Sequence, residues 1–404
     1  MAKHRSTNKK HQRFKKTFKQ KRNNNRTSKK NNYSYSIPRV PNERVTPPTG
    51  SGSPPKVALL FLTTGNHEQS HLWETFLGHP DTHKKFSIYC HCACPRDVPA
   101  RSFLRGFRNS DNTTTSTPPS SEGLLPRGMV VPKPYNEWGH LVLAYYQLLH
   151  RAYTDTRNNN QRFVYLSETC APCVPALAAY AFLTRQLDVT YMDAPRPKDN
   201  SERYEQVVHS PWRSMWPWKV NAGTKAIAKQ DCSKVFSRAG ITKGAFFKHS
   251  GWFSPNREDA FRLLQHQRGF EALNLISAGD EHLLSILHEA SLVPPSQLLQ
   301  HRVTHVRWDY DKMRRWEELK KKSQQEGYWA TIDALEKSNP KAHATFTALW
   351  EESKYANMHP IEYTITFTKK HLEQCVASQS VFVRKVRKSC NVDVLLKHIS
   401  DVSS

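Results

Sequence analysis

Apolar residues in this chain gather into short unbroken runs, and between the runs they recur every three or four positions. KVALLFLTT, over residues 56–64, is the clearest run; KFSIYCHCAC supplies a second over 86–91, and RFVYLSETCAP a third. Unbroken runs of this length mark strands covered on both faces, the pattern of a parallel sheet between helices. Between the second and third runs, Leu141, Ala144, Tyr145, Leu148 and Leu149 fall at helical spacing. Strand, helix, strand in that order predicts an α/β fold with helices flanking a mixed sheet.

Further along, DVTYM over 188–192 reads as another strand. Ser254-Pro255 reads as a helix cap with proline in the first turn, ahead of Ala260, Leu263 and Leu264. The next helix is expected to begin at Asp280. RVTHVRWDY gives a short strand over 303–308, residues 312–358 are charged and helical around Trp316, Trp329, Leu335 and Leu349, and EYTITFT with SVFVRKV forms a closing strand pair. SDNTTTSTPPSSEG, residues 110–123, is a polar loop. No internal repeat is visible.

Charge divides the chain more sharply than hydropathy does. Of a formal net charge of +25 over 404 residues, the first 45 residues carry fifteen Lys or Arg against a single acid, Glu43, which leaves about +11 for the rest. Residues 1–55 hold scarcely an aliphatic side chain, too few to offset the entropy of ordering, and are expected to be a disordered basic arm. Within it, residues 3–45 have the cation density for phosphate contacts with nucleic acid or another polyanion. The expected domains are this arm, a single catalytic domain over 56–390, and a tail over 391–404. No run approaches the roughly 20 apolar residues of a membrane span, and the N-terminus lacks the apolar segment of a secretory signal. A soluble protein of the cytoplasm or nucleus is the expectation, and the unanchored basic arm would suit a viral setting.

The eight cysteines do not form a small-domain disulfide framework. Cys90, Cys92 and Cys94 alternate along one strand, and Cys170 and Cys173 form a Cys-x-x-Cys turn; together they read either as core thiols or as zinc ligands. Asp309-Tyr310-Asp311 has the spacing of a metal-holding acid pair, yet suits a solvated turn equally. Trp212, Trp216 and Trp218 serve either as anchors of an irregular loop or as stacking surfaces for sugar rings.

Two features carry more chemistry. Glu281 sits in the first turn of SAGDEHLLSIL, where the helix dipole keeps an acid ionised, as a general base requires. About a hundred residues later SVFVRKV brings Arg384 and Lys385, cations of the kind that stabilise a departing anion. Strand alternation should turn Lys385 toward that anion and Arg384 the other way. Thr63, Thr64, His91 and Glu168 stand at the carboxyl ends of predicted strands, where open α/β sheets bind nucleotides.

Taken together, ALLFLTTGN, LWETFLGH, FSIYCH, EWGHLVLAYYQLLHRA, QRFVYLSETCAP, KHSGWFSPNREDAFRLL, SAGDEHLLSIL, VTHVRWDY and VFVRKV resemble, in order over about residues 56–386, the core-2/I-branching β-N-acetylglucosaminyltransferases of glycosyltransferase family 14. The likeness is greatest to the branching-enzyme-like members. The resemblance implies a GT-A-like fold and transfer from a UDP-sugar with inversion, without a metal or other cofactor. It implies Glu281 as base and Lys385, in its Phe-x-x-Lys element, on the diphosphate. It also implies an acceptor pocket shaped by Trp308 and Tyr310, to which Trp252 of the GWF segment is added. The family's second diphosphate cation has no arginine counterpart upstream, and Lys369 and Lys370 are the nearest substitutes. The chain also departs from its relatives at His91-Cys92-Ala93-Cys94, where an acid near the base is expected, and at Cys375 with Ser380, where relatives close a short disulfide loop.

Two readings result. The first is an inverting, metal-independent glycosyltransferase that moves a sugar of the N-acetylglucosamine or xylose class to a hydroxyl of a glycan or glycoprotein. The second is a transferase fold without turnover that binds nucleic acid or another polyanion through its basic arm.

Overall fold

In the computed structural model, residues 54–92, 141–193, 232–244, 246–276, 278–289, 298–308 and 360–401 are described, with 104, 129, 130, 204 and 314 besides. The basic arm, Cys94, the 110–123 loop, Trp212, Trp216, Trp218, the segment Asp309-Tyr310-Asp311 and residues 312–358 other than Arg314 lie outside them.

The three apolar runs form strands where expected: β1 at Lys56–Thr63, β2 at Phe86–Cys92 and, after a short edge strand β3 at Met129–Val130, β4 at Asn160–Ser167. They lie parallel in the order β3-β2-β1-β4. Leu59 sits between Ile88 and Val164, and nearly every residue of these strands is buried. Alternation then divides the side chains between two layers. Val57, Leu59, Phe61, Ile88, Val164 and Leu166 join one core with Leu72, Trp73 and Phe76 of helix α1, Ser70–Leu77. On the other face lies α2, Val142–Thr154, whose Tyr145 ring packs against Tyr165 at 4.3 Å. The Tyr165 hydroxyl donates to the Tyr145 carbonyl at 3.1 Å.

Trp73 fastens the first layer to the end of the sheet. Its indole Nε1–H is shared between His67 Nε2 and the Cys170 carbonyl, each at 2.9 Å. Burial drives His67 down to about 3, so it stays neutral and able to accept. The same indole stacks on Phe382, with ring centroids 5.6 Å apart.

Beyond β4 the chain makes β5, Ala171–Pro172, helix α3, Ala176–Thr184, and β6, Thr190–Met192, shorter than the expected 188–192. Helix α4 spans Cys232–Arg238. Ser254 bridges to Tyr191 as extended chain, and Asn256 caps helix α5, Arg257–Gln265, its side chain accepting from Asp259 N–H at 2.7 Å. The cap therefore lies two residues beyond the expected Ser254, because a bridged Ser254 has no freedom to turn. Helix α6, Gln267–Leu273, is followed by a 3-10 turn at Gly279–His282 and by α7, Leu284–Glu289, so Asp280 and Glu281 stand in a tight turn ahead of the expected helix.

The last strands are β7, Leu298–Gln300, parallel to β6, and β8, Thr304–Val306. After helix α8, Lys369–Ala377, comes β9, Phe382–Arg384, parallel to β8 and antiparallel to β5. The expected strand EYTITFT is reduced to isolated bridges at Tyr363 and Thr366. A helix α9, Asp393–Ser400, occupies the segment set apart as a tail and buries Leu395 and Ile399.

One buried cation ties several of these pieces together. Arg162 of β4 is fully buried, and its guanidinium donates to the carbonyls of Leu183, Gln186, Val189 and Ser254. Every one of those acceptors is a neutral backbone group, so burial lowers its pKa, to about 10, and leaves it charged at neutral pH.

Candidate active site

Glu281 is placed by two segments bolted together. In the 3-10 turn, Ala278 takes a left-handed backbone with φ of 54°, and Gly279 passes so close to the Leu273 carbonyl that a Cβ would lie 2.0 Å from it. Only glycine fits there. Facing this turn is Phe247–Gly251. The Phe247 N–H donates to Ser285 Oγ at 3.0 Å, and the Phe247 carbonyl accepts from Ser285 Oγ and His282 Nδ1. The His249 N–H donates to the Glu281 carbonyl at 2.7 Å, while its ring accepts from Leu284 N–H and donates to the Ser250 carbonyl. Burial pulls His249 down to about 4, which preserves that neutral tautomer. The Glu281 carboxylate itself is partly exposed and meets Lys248 Nζ at 2.9 Å.

Asp280, beside it, turns toward Gly251 and Tyr145. A Cβ on Gly251 would come within 2.9 Å of Asp280 Oδ2 and 3.0 Å of the Tyr145 hydroxyl, so these three groups converge on one spot. The Tyr145 hydroxyl donates to the Gly251 carbonyl at 3.0 Å. Desolvation, reinforced by Glu281, raises the Asp280 carboxyl to about 7, and Arg384 opposes that rise.

Arg384 is thus on the acid side of the molecule. Its guanidinium lies over the Trp252 ring, 4.2 Å from the centroid, whereas the Lys385 ammonium meets Glu362. Its charge is felt by Tyr145, Glu168, Cys170 and Asp280, and burial lowers its own pKa. A planar, weakly hydrated guanidinium can stack in such a place, whereas an ammonium is more strongly held by water. The buried Nε–H has no hydrogen-bond partner among the described residues. Trp252, expected at the acceptor, lies beneath this cation.

Lys385 lies one residue on, with Nζ 3.7 Å from Glu362 Oε1. Glu362 also takes a two-point contact from Arg387, whose Nη1 reaches Glu68 at 2.8 Å. These residues meet where β1 and β4 end: Glu68 N–H donates to the Glu168 carbonyl, and Val386 N–H to that of Thr169. Burial raises the Glu168 carboxyl.

The remaining expected residues divide. Thr64 is exposed at the end of β1, whereas Thr63 turns inward onto Cys90 Sγ at 3.5 Å. His91 is buried against Gln147 of α2 at 3.2 Å and faces the helix layer. Lys370 stands exposed on α8 beside His371 and Arg307, and no described interaction links it to Lys385. Trp308 is partly exposed after β8, and Tyr310 lies outside the described residues. Cys90, Cys92, Cys170 and Cys173 are buried free thiols. No cluster of His, Cys, Asp or Glu among the described residues is arranged to hold a metal ion. Nor is any described helix long and apolar enough to cross a membrane. Lys248, Asp280, Glu362 and Arg387 were missed as site residues, although Lys248 lies inside the KHSGWF segment already singled out.

The sequence model of the family described as Core-2/I-Branching enzyme matches residues 57–326, two thirds of the chain. No curated protein matches it.

Proposed function

The chain belongs to the Core-2/I-Branching enzyme family and so to the glycosyltransferases, and from that premise we propose an inverting transfer from a UDP-sugar that needs no divalent metal. The sugar is of the N-acetylglucosamine or xylose class, and the acceptor is a glycan or glycoprotein hydroxyl. Glu281 takes the proton from that hydroxyl as its oxygen attacks the anomeric carbon. The bond from that carbon to the diphosphate oxygen breaks from the opposite side, and its electron pair leaves with the UDP. Lys385 and Arg384 receive the growing charge, which positive groups fixed in a poorly hydrated crevice stabilise strongly. Thr64 and Glu168 serve the nucleotide end and Trp308 the acceptor end of a GT-A-like fold, and Tyr310 is assigned to the acceptor by the family resemblance alone.

The observation that supports this reading is the position of Asp280, the chain neighbour of Glu281, whose carboxyl feels the charge of Arg384. On this reading the base and the cations share one nucleotide-sugar site, near the carboxyl ends of β1 and β4, where open α/β sheets bind nucleotides. Incubation with a panel of UDP-sugars and glycan acceptors, with and without excess chelator, tests it. Transfer that persists in chelator is expected. Activity restored only by a divalent ion, or no turnover of any UDP-sugar, would sink the proposal, and the second outcome would turn attention to polyanion binding by residues 3–45.

A further inference from the structure

Resting on that reading, we infer that Glu362 is a built-in competitor of the donor's diphosphate for Lys385 and Arg387, and so sets how tightly the donor binds. Its carboxylate is shared. Oε1 faces Arg387 Nη2 at 2.6 Å and Lys385 Nζ at 3.7 Å, while Oε2 takes Arg387 Nε–H at 2.8 Å. The contact to Lys385 is too long for a good hydrogen bond, so an ammonium with three donors is held by charge alone.

The pairs are not what joins the two segments. Tyr363 N–H donates to the Lys385 carbonyl at 2.8 Å, and Arg387 N–H to that of Tyr363 at 3.0 Å. That backbone ladder holds Glu362 beside the cations whatever its side chain does. All four charged groups also keep contact with solvent: Lys385 is 15 % exposed, Glu362 32 %, Arg387 36 % and Glu68 24 %. An incoming anion can therefore reach the cations and exchange with the carboxylate.

The chemistry of the anion follows from the count of charges. Lys385 and Arg387 face Glu68 and Glu362, while the carboxyl of Glu168, raised by burial, feels both Arg384 and Arg387. A single carboxylate bridging two cations stands where two linked phosphates would bridge them, with more oxygens and more charge. Displacing Glu362 gives up its two-point contact with Arg387, and the oxygens of a diphosphate can replace that contact while the freed carboxylate returns to water.

Inorganic pyrophosphate and UDP, titrated calorimetrically into the full chain, provide the test. Glu362→Gln keeps an oxygen for Arg387 but removes the charge, and should bind both ligands about five- to tenfold more tightly. The gain should vanish when Lys385→Gln is added, and Glu68→Gln, on the far side of Arg387, should gain less. A merely structural Glu362 predicts weaker binding or none of this gain, and either result overturns the inference. If the native chain binds UDP and Glu362→Gln binds it no better, the inference falls while the donor site stands. If neither protein binds UDP or pyrophosphate, the donor site itself is refuted, and the inference with it. Thermal melting checks that the variant folds, and Glu362→Ala repeats the comparison if it does not.

Discussion

The two walls of the proposed site, one around Glu281 and one around Lys385, are built in opposite ways. Around Glu281 the chain is fixed by neutral hydrogen bonds from His249, His282 and Ser285 to backbone groups, packed against a glycine that admits no side chain. Around Lys385 the order comes from charges on Glu362, Arg387 and Glu68 that remain in contact with water. Neutral buried bonds are indifferent to salt and mild acid, whereas part-exposed ion pairs exchange readily. A base must keep its aim through every turnover, while a diphosphate must both enter and leave, and the two constructions match those demands.

The sharpest way to break this contrast is at the base. Glu281→Gln should lower transfer by about 10²- to 10⁴-fold while leaving the melting temperature and UDP affinity nearly unchanged, since only proton removal is lost. Normal turnover in that variant would refute the assignment. Lys385→Ala should weaken UDP binding about tenfold, on the order of 1.4 kcal/mol, with little effect on folding. Calorimetry reads the first, and melting the second.

The same contrast should appear in stability. Ser285→Ala strands the Phe247 N–H and should cost about 1–3 kcal/mol in denaturant unfolding, equally at low and high salt. Asp280 offers a pH test. Its carboxyl is held at about 7 against an ordinary 3.8, so the folded protein retains a proton that the unfolded chain releases. From this group stability is greatest below about pH 4, falls as the pH rises to 7, and is level above. Asp280→Asn should flatten that fall, a change on the order of 3–4 kcal/mol between pH 4 and 7. The smallest effect belongs to Glu68→Gln, at most about 1 kcal/mol and vanishing in high salt. A large, salt-independent loss there would erase the distinction between the walls.

Which parts were legible in the sequence follows from range. β1, β2 and β4 announce themselves because strands buried on both faces need apolar side chains at every position, and α2 because its buried stripe repeats each turn. The cap of α5 was misplaced because Ser254 and Asn256 are both good caps locally, and the choice between them was made by Tyr191, far away in sequence. The turn that carries Glu281 was readable from its position ahead of an apolar helix. The partners of Lys385 were not: Glu68 lies 319 residues before Arg387, and their meeting depends on how β9 is inserted beside β5. Nor could alternation foretell Arg384, since the Trp252 ring that receives it comes from another part of the chain.

Arg162 has a practical corollary. A single guanidinium satisfies carbonyls belonging to the end of α3, the loop after it, and the approach to α5. Those stretches form one inseparable cassette. A chimera that grafts the region around β6 from a relative without its own arginine would strip this donor from the carbonyls of Leu183, Gln186 and Val189 and destabilise the cassette, whereas one that carries the arginine along should graft cleanly.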